Sequence, residues 1–124
     1  MHGSSSVPQD WLTIINNFGG DMGETYGVPV SEIAEGIKNG VRKVNIDTDL
    51  RMASTGSIRR HISENKSNFD PRKFFADSTK AMTEICKARY ESFGTAGNAD
   101  KITELSLEVM FAEYASGSLD PQVN

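Results

Sequence analysis

The sequence has little of several features that define common protein classes. It contains one cysteine, Cys86, which excludes an internal disulfide framework and predicts a reducing, cytoplasmic location. No apolar run approaches the roughly 20 residues of a membrane span, and no apolar leader is visible. Acidic residues outnumber basic ones, 17 to 13, so neither nucleic acid nor a membrane surface is expected as a partner. The 124 residues suffice for one domain.

Only one segment has the pattern of a β-strand. Val41, Val44 and Ile46 are β-branched and apolar, and a polar tip, 45–49, follows them before a helical pattern begins. In α/β proteins ligands bind beyond the carboxyl ends of strands, so this tip is a candidate binding site. One strand cannot satisfy its own backbone groups. We therefore expect it to pair with another chain or to belong to a larger α/β domain.

The other patterns predict five helices, each starting at a capping residue and ending at a glycine or in polar sequence. The predicted helix starts are Ser6 (with Gln9 completing a capping box), Ser31, Asp49 at the end of the strand turn, Asp70 (followed by Pro71) and Ser106. In the same order, the predicted helix ends are Gly19-Gly20, Gly40, about Asn65, Gly94 and Ser116. Residues 19–29 and 95–100 are predicted loops, and 117–124 a tail.

Of the two histidines, His2 is a candidate for metal binding. His2 precedes a glycine and three serines, so it is either a metal ligand or an ordinary loop histidine. A zinc site needs three or four ligands, and one histidine does not make one. His61 belongs to the basic run 59–61, which is interpreted as a solvated helix face. Cys86 falls within a helix and is interpreted as core.

Two polar clusters could bind phosphate. Ser4, Ser5 and Ser6 lie beside the backbone N–H groups of Gly3 and of a helix start, although Ser6 could simply be a cap. In the second cluster, 45–49, the hydroxyl and amides could bind phosphate and the asparagine a hydroxyl or enolate oxygen. A capped turn explains the same residues, and the pattern by itself favours that reading. The glycine-rich stretch 19–29 matches neither common phosphate-loop motif.

Three motifs in this order resemble the C-terminal third of class II, metal-dependent fructose-1,6-bisphosphate aldolases. They are His2–Pro8 (HGSSSVP), Gly19–Pro29 (GGDMGETYGVP) and Val41–Asp49, which contains NIDTD. The similarity runs from His2 to about Val123. The family fold is a (β/α)₈ barrel with its active site at the C-terminal rim. The resemblance implies an α/β chain: 1–30 the strand-seven loop region, 31–65 a helix, strand eight and a helix, and 66–124 a C-terminal helical extension.

The resemblance also implies roles for individual residues. His2 would be a zinc ligand at the end of strand seven. Dihydroxyacetone phosphate would be bound by two groups, Gly3, Ser4 and Ser5 after strand seven and Asn45, Ile46, Asp47 and Thr48 at the end of strand eight. Arg72, in Asp70-Pro71-Arg72, resembles an arginine that reaches the distal phosphate in a neighbouring subunit's site.

The implied activity is reversible, zinc-dependent cleavage of fructose 1,6-bisphosphate into two triose phosphates, in glycolysis, gluconeogenesis or the Calvin cycle. A monovalent cation is a further implied ion, and a homo-oligomer, dimer or tetramer, the implied assembly. The family's other zinc histidines and its proton-shuttling aspartate belong to earlier strands that this sequence does not contain. We therefore expect a fragment that is inactive alone. The alternatives are a tagatose-bisphosphate aldolase and a non-catalytic helical subunit that binds phosphate or a partner protein.

Overall fold

The computed structural model describes residues 1–121, and every regular element in that range is helical. The elements are α1 (Gln9–Asn17), α2 (Val30–Lys38), α3 (Thr48–Glu64), α4 (Pro71–Ser92), the 3₁₀ turn Ala99–Lys101 and α5 (Leu107–Ala115). α3 packs against both α1 and α4, and α2 contacts α4. None of the described helices is both long enough and apolar enough to cross a bilayer.

Small side chains let α3 approach its two neighbours closely. On the α1 side, a Cβ added to Gly56 would lie 2.8 Å from Cε3 of Trp11. On the α4 side, the hydroxyls of Ser54 and Ser78 lie 2.7 Å apart. Between α1 and α3, the apolar core contains Ile15 and Met52, both only 3% exposed. α3 is therefore the central support of the described chain.

The strand predicted within Val41–Asp49 is not a strand in the described range. One neighbour is present: the Met1 N–H₃⁺ group donates to the Lys43 carbonyl (2.7 Å), and the Asn45 N–H donates to the Met1 carbonyl (3.1 Å). Bonds from one residue to two residues spaced two apart form the pattern of parallel strands. The pairing ends there, because the chain turns at Gly3, where φ is +64°. This ladder is too short to be a sheet, and the expectation that the segment pairs with another chain or belongs to a larger α/β domain stays a prediction.

Three predicted caps are wrong. Pro8 and Pro29, not Ser6 and Ser31, occupy the cap positions of α1 and α2, so neither serine makes a cap bond. Gln9 does not complete a capping box either, and its amide donates to the carbonyls of Val7 and Thr25. Asp47 occupies the cap position of α3 and Asp49 lies inside the helix. Proline fits a helix start because it lacks the N–H group that would go unpaired there.

The remaining boundaries are confirmed. Asp70 accepts from the Arg72 N–H with Pro71 in the first turn, and Ser106 accepts from the Val109 N–H. Glycines in left-handed conformations follow four of the helices, at Gly19, Gly40, Gly94 and Gly117, with φ between +73° and +105°. Residues 19–29 have no regular element apart from the cap of α2 at their end.

The basic run 59–61 is only partly the solvated face that the sequence predicts. The His61 side chain is 11% exposed. Its Nδ1 lies 2.6 Å from Oδ2 of Asp77 on α4, and its Nε2 lies 2.9 Å from the Asn68 amide. The imidazole therefore ties the end of α3 to α4 and to the loop between them, away from the candidate site.

The C-terminal arm, residues 102–121, leaves a large apolar surface open. α5 packs against none of the other described helices. Most of its large apolar side chains and of those just before it are between 46% and 78% exposed, namely Ile102, Leu105, Leu107, Val109, Phe111 and Tyr114. Part of the predicted tail, residues 122–124, lies outside the described range.

Candidate functional site

The N-terminal loop, residues 1–8, runs beside the strand turn, residues 43–49, and the two are joined in register. After the two Met1 bonds, Ser4 Oγ donates to the Asn45 carbonyl at 2.7 Å. Ser5 then faces the N–H groups of residues 47 and 48, and Ser6 faces Asp49. Successive residues of the N-terminal loop thus contact successive residues of the strand turn, which lie more than 40 positions later in the chain. The two polar clusters of the sequence form one site.

Ser5 and the start of α3 form a cradle for an anion. Ser5 Oγ accepts from the N–H groups of Asp47 (3.2 Å) and Thr48 (3.1 Å). These N–H groups belong to the first turn of a 17-residue helix, whose dipole makes its N-terminus favourable for negative charge. A phosphate oxygen could replace Ser5 Oγ as acceptor or receive the serine's own proton. Gly3 leaves open space beside this cradle, because a Cβ added there would meet nothing within 4 Å.

Ser4 has a different role from Ser5. It is fully buried, and its hydroxyl lies within hydrogen-bond distance of two backbone carbonyls, those of Asn45 and Met1. The side chain therefore fastens the N-terminal loop to the strand turn. Any contact of Ser4 with a ligand has to be made by its backbone.

His2 is exposed at the edge of this site and is oriented by Asn45. The imidazole Nδ1 lies 2.7 Å from Nδ2 of Asn45, while the Asn45 oxygen accepts from the Lys43 ammonium. Since the oxygen is taken by lysine, the amide donates and Nδ1 accepts. With Nδ1 accepting, the proton of a neutral imidazole lies on Nε2, so this contact differs from the usual arrangement in which a metal-binding histidine donates its other ring N–H.

The donor set for zinc is incomplete within residues 1–121. No group of three or more histidine, cysteine or carboxylate side chains in that range could hold a metal ion. His2 can supply one imidazole ligand because it is exposed, and the ring nitrogen with a free electron pair is Nδ1, which here accepts from Asn45. The remaining ligands of a three- or four-ligand site would have to come from elsewhere.

Asp47 and Ile46 lie at the site, and their side chains make contacts outside the anion cradle. The Asp47 carboxylate is paired in bidentate fashion with Arg51 one turn along α3, at 2.9 and 2.8 Å. This pairing offsets a negative charge next to the anion cradle. Ile46 lines an apolar groove of about 580 Å³, together with Leu50, Tyr90 and Phe93. The groove contains none of the cradle's polar groups.

A buried ion pair supports the cradle from behind. Asp49 is fully buried, and its Oδ2 lies 3.0 Å from Nη2 of Arg89, which comes from α4 and is 11% exposed. The same carboxylate accepts from the Ser6 hydroxyl and the Val7 N–H, both at 2.9 Å. Arg89 also donates to Ser6 Oγ at 2.7 Å. These bonds hold Val7 at a φ of +52°, which is rare for a β-branched residue.

The glycine-rich loop covers the other side of the N-terminal loop. The Val28 N–H donates to the Ser5 carbonyl at 3.0 Å. A Cβ at Gly27 would lie only 2.1 Å from that same carbonyl oxygen. The loop is thus packed directly on the serine of the anion cradle, and Gly27 is needed for the close approach.

Arg72 is not brought to this site. Its side chain is 89% exposed and its hydrogen bonds all go to Asp70, the closest at 2.6 Å. The guanidinium holds the pKa of the Asp70 carboxyl below its usual value, and the Arg72 N–H contributes in the same direction. The arginine is available to a ligand or a partner outside the described residues.

Sequence reasoning missed the partnership of Asp49 with Arg89. The local pattern favours Asp49 as a cap and Arg89 as one member of a mostly apolar helix face. The signal that the sequence offers for this pair is an arginine on an otherwise apolar face of α4, because a buried cation needs an anionic partner. The sequence does not say which acid that is.

Comparison with known proteins places the chain in a family. The family profile described as class-II fructose-bisphosphate aldolase matches residues 1–98. The fructose-bisphosphate aldolases of Stutzerimonas stutzeri and Pseudomonas aeruginosa are each 70% identical over all 124 residues, and these cover 35% of either relative. The class 2 enzyme of Synechocystis is 57% identical over 119 residues, 96% of this chain and 33% of the relative. The chain spans about a third of the length of these relatives, and it belongs to the class II fructose-bisphosphate aldolase family.

Proposed function

We propose that the chain supplies the phosphate-binding part and one zinc ligand of a fructose-1,6-bisphosphate aldolase. The observation that carries this proposal is the register of the two loops. It places the Ser5 hydroxyl, two N–H groups at the start of α3 and the His2 imidazole along one edge of the chain. A phosphorylated ketone needs such a combination: an anion site at one end and a metal-binding group near the other.

The cradle of Ser5 and α3 binds the phosphate of dihydroxyacetone phosphate. The helix start provides fixed donors that do not need to reorganise during the reaction. Gly3, Ser4, Ile46 and Thr48 take part through their backbones or, for Thr48, an exposed hydroxyl. The Asp47 carboxylate accepts from substrate hydroxyls. Holding the phosphate fixes the position of the carbon atoms that react.

His2 is the metal ligand of this chain, and Asn45 lies beside its ring. Zinc held by His2 and the other ligands would supply Lewis acidity toward the ketone. The Asn45 amide, 2.7 Å from the imidazole, also lies within reach of a hydroxyl or enolate oxygen of the substrate. The other zinc ligands and the group that moves the proton are supplied by residues that this chain does not contain.

Arg72 binds the distal phosphate of the bisphosphate in the site of a neighbouring subunit. Its guanidinium is almost fully exposed and is held at the start of α4 by Asp70 alone. A homo-oligomer is therefore part of the proposal, and the exposed apolar surface of the C-terminal arm fits buried contacts between chains. A monomer in sedimentation experiments on the complete enzyme would contradict it. The single free thiol, Cys86, agrees with a cytoplasmic enzyme.

The test uses an aldolase chimera, in which these 124 residues replace the matching 124 residues of the Stutzerimonas stutzeri protein. We expect the chimera to cleave fructose 1,6-bisphosphate, to prefer it to tagatose 1,6-bisphosphate, and to lose activity with a chelator. His2→Ala should remove bound zinc and lower cleavage by at least about 100-fold, because the metal loses a direct ligand.

The control for His2→Ala is His61→Gln, which removes the other imidazole, outside the site. This variant should keep its zinc and its activity. A chimera that folds without cleaving the sugar bisphosphate, or one that keeps full zinc content after His2→Ala, contradicts the proposed function.

A further inference from the structure

We propose that Arg89 is a positioning residue for the phosphate site, acting through the buried carboxylate of Asp49. The inference rests on the proposed function, because it assumes that the cradle of Ser5 and α3 holds a phosphate. The register of the two loops is the starting point. Ser5 meets the N–H groups of residues 47 and 48, and the next residue on each side, Ser6 and Asp49, meet each other. The carboxylate therefore lies directly behind the anion cradle.

A carboxylate in that place opposes phosphate binding unless its charge is offset. Asp49 is fully buried, so water does not screen it. Among the described residues, Arg89 is the cation that contacts it. The guanidinium neutralises the negative charge of the Asp49 carboxylate behind the cradle. The phosphate is then attracted by the positive end of the α3 dipole without that opposing charge.

Arg89 also fixes the shape of the N-terminal loop. Its Nη2 bridges Ser6 Oγ and the Asp49 carboxylate, and the other oxygen of that carboxylate holds the Val7 N–H. The bond from the Val7 N–H to that oxygen helps to hold the positive φ of Val7, and Ser5 is two residues before it. Arg89 thus joins α4 to the loop that contains Ser5.

Burying an arginine side chain at this position costs free energy. Its Nε is buried without a hydrogen-bond partner in the described part of the chain. An apolar side chain would avoid that cost, and buried ion pairs in general can be replaced by apolar residues without loss of stability. Removing one partner of such a pair would leave the other charge buried and unpaired. Stability alone therefore does not explain why the site contains the pair, and Arg89 supplies the charge balance that Asp49 needs behind an anion site.

The test measures binding of inorganic phosphate to the aldolase chimera by calorimetry. Arg89→Met leaves the carboxylate unbalanced and should weaken phosphate binding by about tenfold. Asp49→Asn keeps an oxygen for the Val7 N–H but removes the negative charge, so it should strengthen binding by roughly threefold or more. Opposite signs are the signature of charge balance, since a purely structural pair would weaken binding in both variants. The double variant should return to near the starting affinity.

Lys87→Met is the matched control, because it removes a cation from the same helix at a site that is 64% exposed. It should leave phosphate affinity unchanged. Equal losses in Arg89→Met and Asp49→Asn, or no change in either, overturn the proposal. If Arg89→Met does not fold, Asp49→Asn decides alone: tighter binding supports the proposal, and weaker or unchanged binding overturns it. A chimera that folds but binds no phosphate overturns the proposed function itself, which is a distinct result.

Discussion

Ser5 shows how much depends on single residues in this site. Its hydroxyl faces two N–H groups of α3, while its carbonyl accepts the Val28 N–H of the glycine-rich loop. The residue is thus fixed from both sides, by a helix start and by a loop. A change that disturbs either contact is expected to move the hydroxyl.

Gly27 is the position where this can be tested. Gly27→Ala places a Cβ within 2.1 Å of the Ser5 carbonyl oxygen, so one of the two segments has to shift. We expect the free energy of unfolding of the chimera to fall by about 1–3 kcal/mol, as in other overpacked sites, and phosphate binding to weaken. Denaturant unfolding and calorimetry measure the two effects.

Gly23 provides the control in the same loop. A Cβ there meets nothing within 4 Å, so Gly23→Ala should change the stability by no more than about 0.5 kcal/mol. Similar losses for both variants would mean that the loop is generally intolerant of side chains, and the close approach at Gly27 would not be the reason.

Most of the predicted capping residues are of two kinds, those whose side chains bond to nearby N–H groups and those whose side chains bond to a distant residue. Asp70 and Ser106 accept N–H groups two and three residues later, so the sequence next to them predicts the cap. Ser6 and Asp49, by contrast, bond to each other across 43 residues, and the tertiary contact overrides the local one. Sequence reasoning succeeded at Asp70 and Ser106, which have no distant partner among the described residues, and failed at Ser31 because a proline occupies the cap position of α2.

The start of α4 should respond to acid in a defined way. The pKa of Asp70 lies below its ordinary value of 3.8, because its carboxylate accepts from the Arg72 side chain and backbone. Its contribution to stability is therefore complete above the ordinary pKa and is lost as the pH falls through the lower, folded-state pKa. An NMR titration of the Asp70 carboxyl in the chimera measures this value directly.

Arg72→Met should raise the pKa of Asp70 toward its ordinary value, since the largest cause of the shift is removed. Lys73→Met is the control, because Lys73 acts on the same carboxyl only through its charge and contributes least. A pKa of Asp70 that stays low in Arg72→Met would show that the ion pair is not formed in solution.

On our proposal the whole molecule contains part of a catalytic site, and its own activity is a direct prediction. Among the described residues, His2 is the one imidazole at the cradle, no group of three or more metal-binding side chains forms, and zinc needs three or four ligands. We expect the purified 124-residue chain to show no chelator-sensitive cleavage of fructose 1,6-bisphosphate in a coupled assay. The aldolase chimera is the positive control. Measurable zinc-dependent turnover by the chain alone would contradict the proposed division of the zinc site.

The sequence by itself determined the family and the local elements. The motifs around His2 and Asn45 carry the resemblance that the family comparison then confirmed. Helix ends followed from glycines and from the cap at Asp70, because these depend on neighbours within a few residues. The tertiary structure alone decided that Ser5 meets the start of α3 and that Asp49 pairs with Arg89. The reason is physical: a hydrogen-bonding side chain takes whichever partner folding brings to it, and here that partner lies 40 or more residues away.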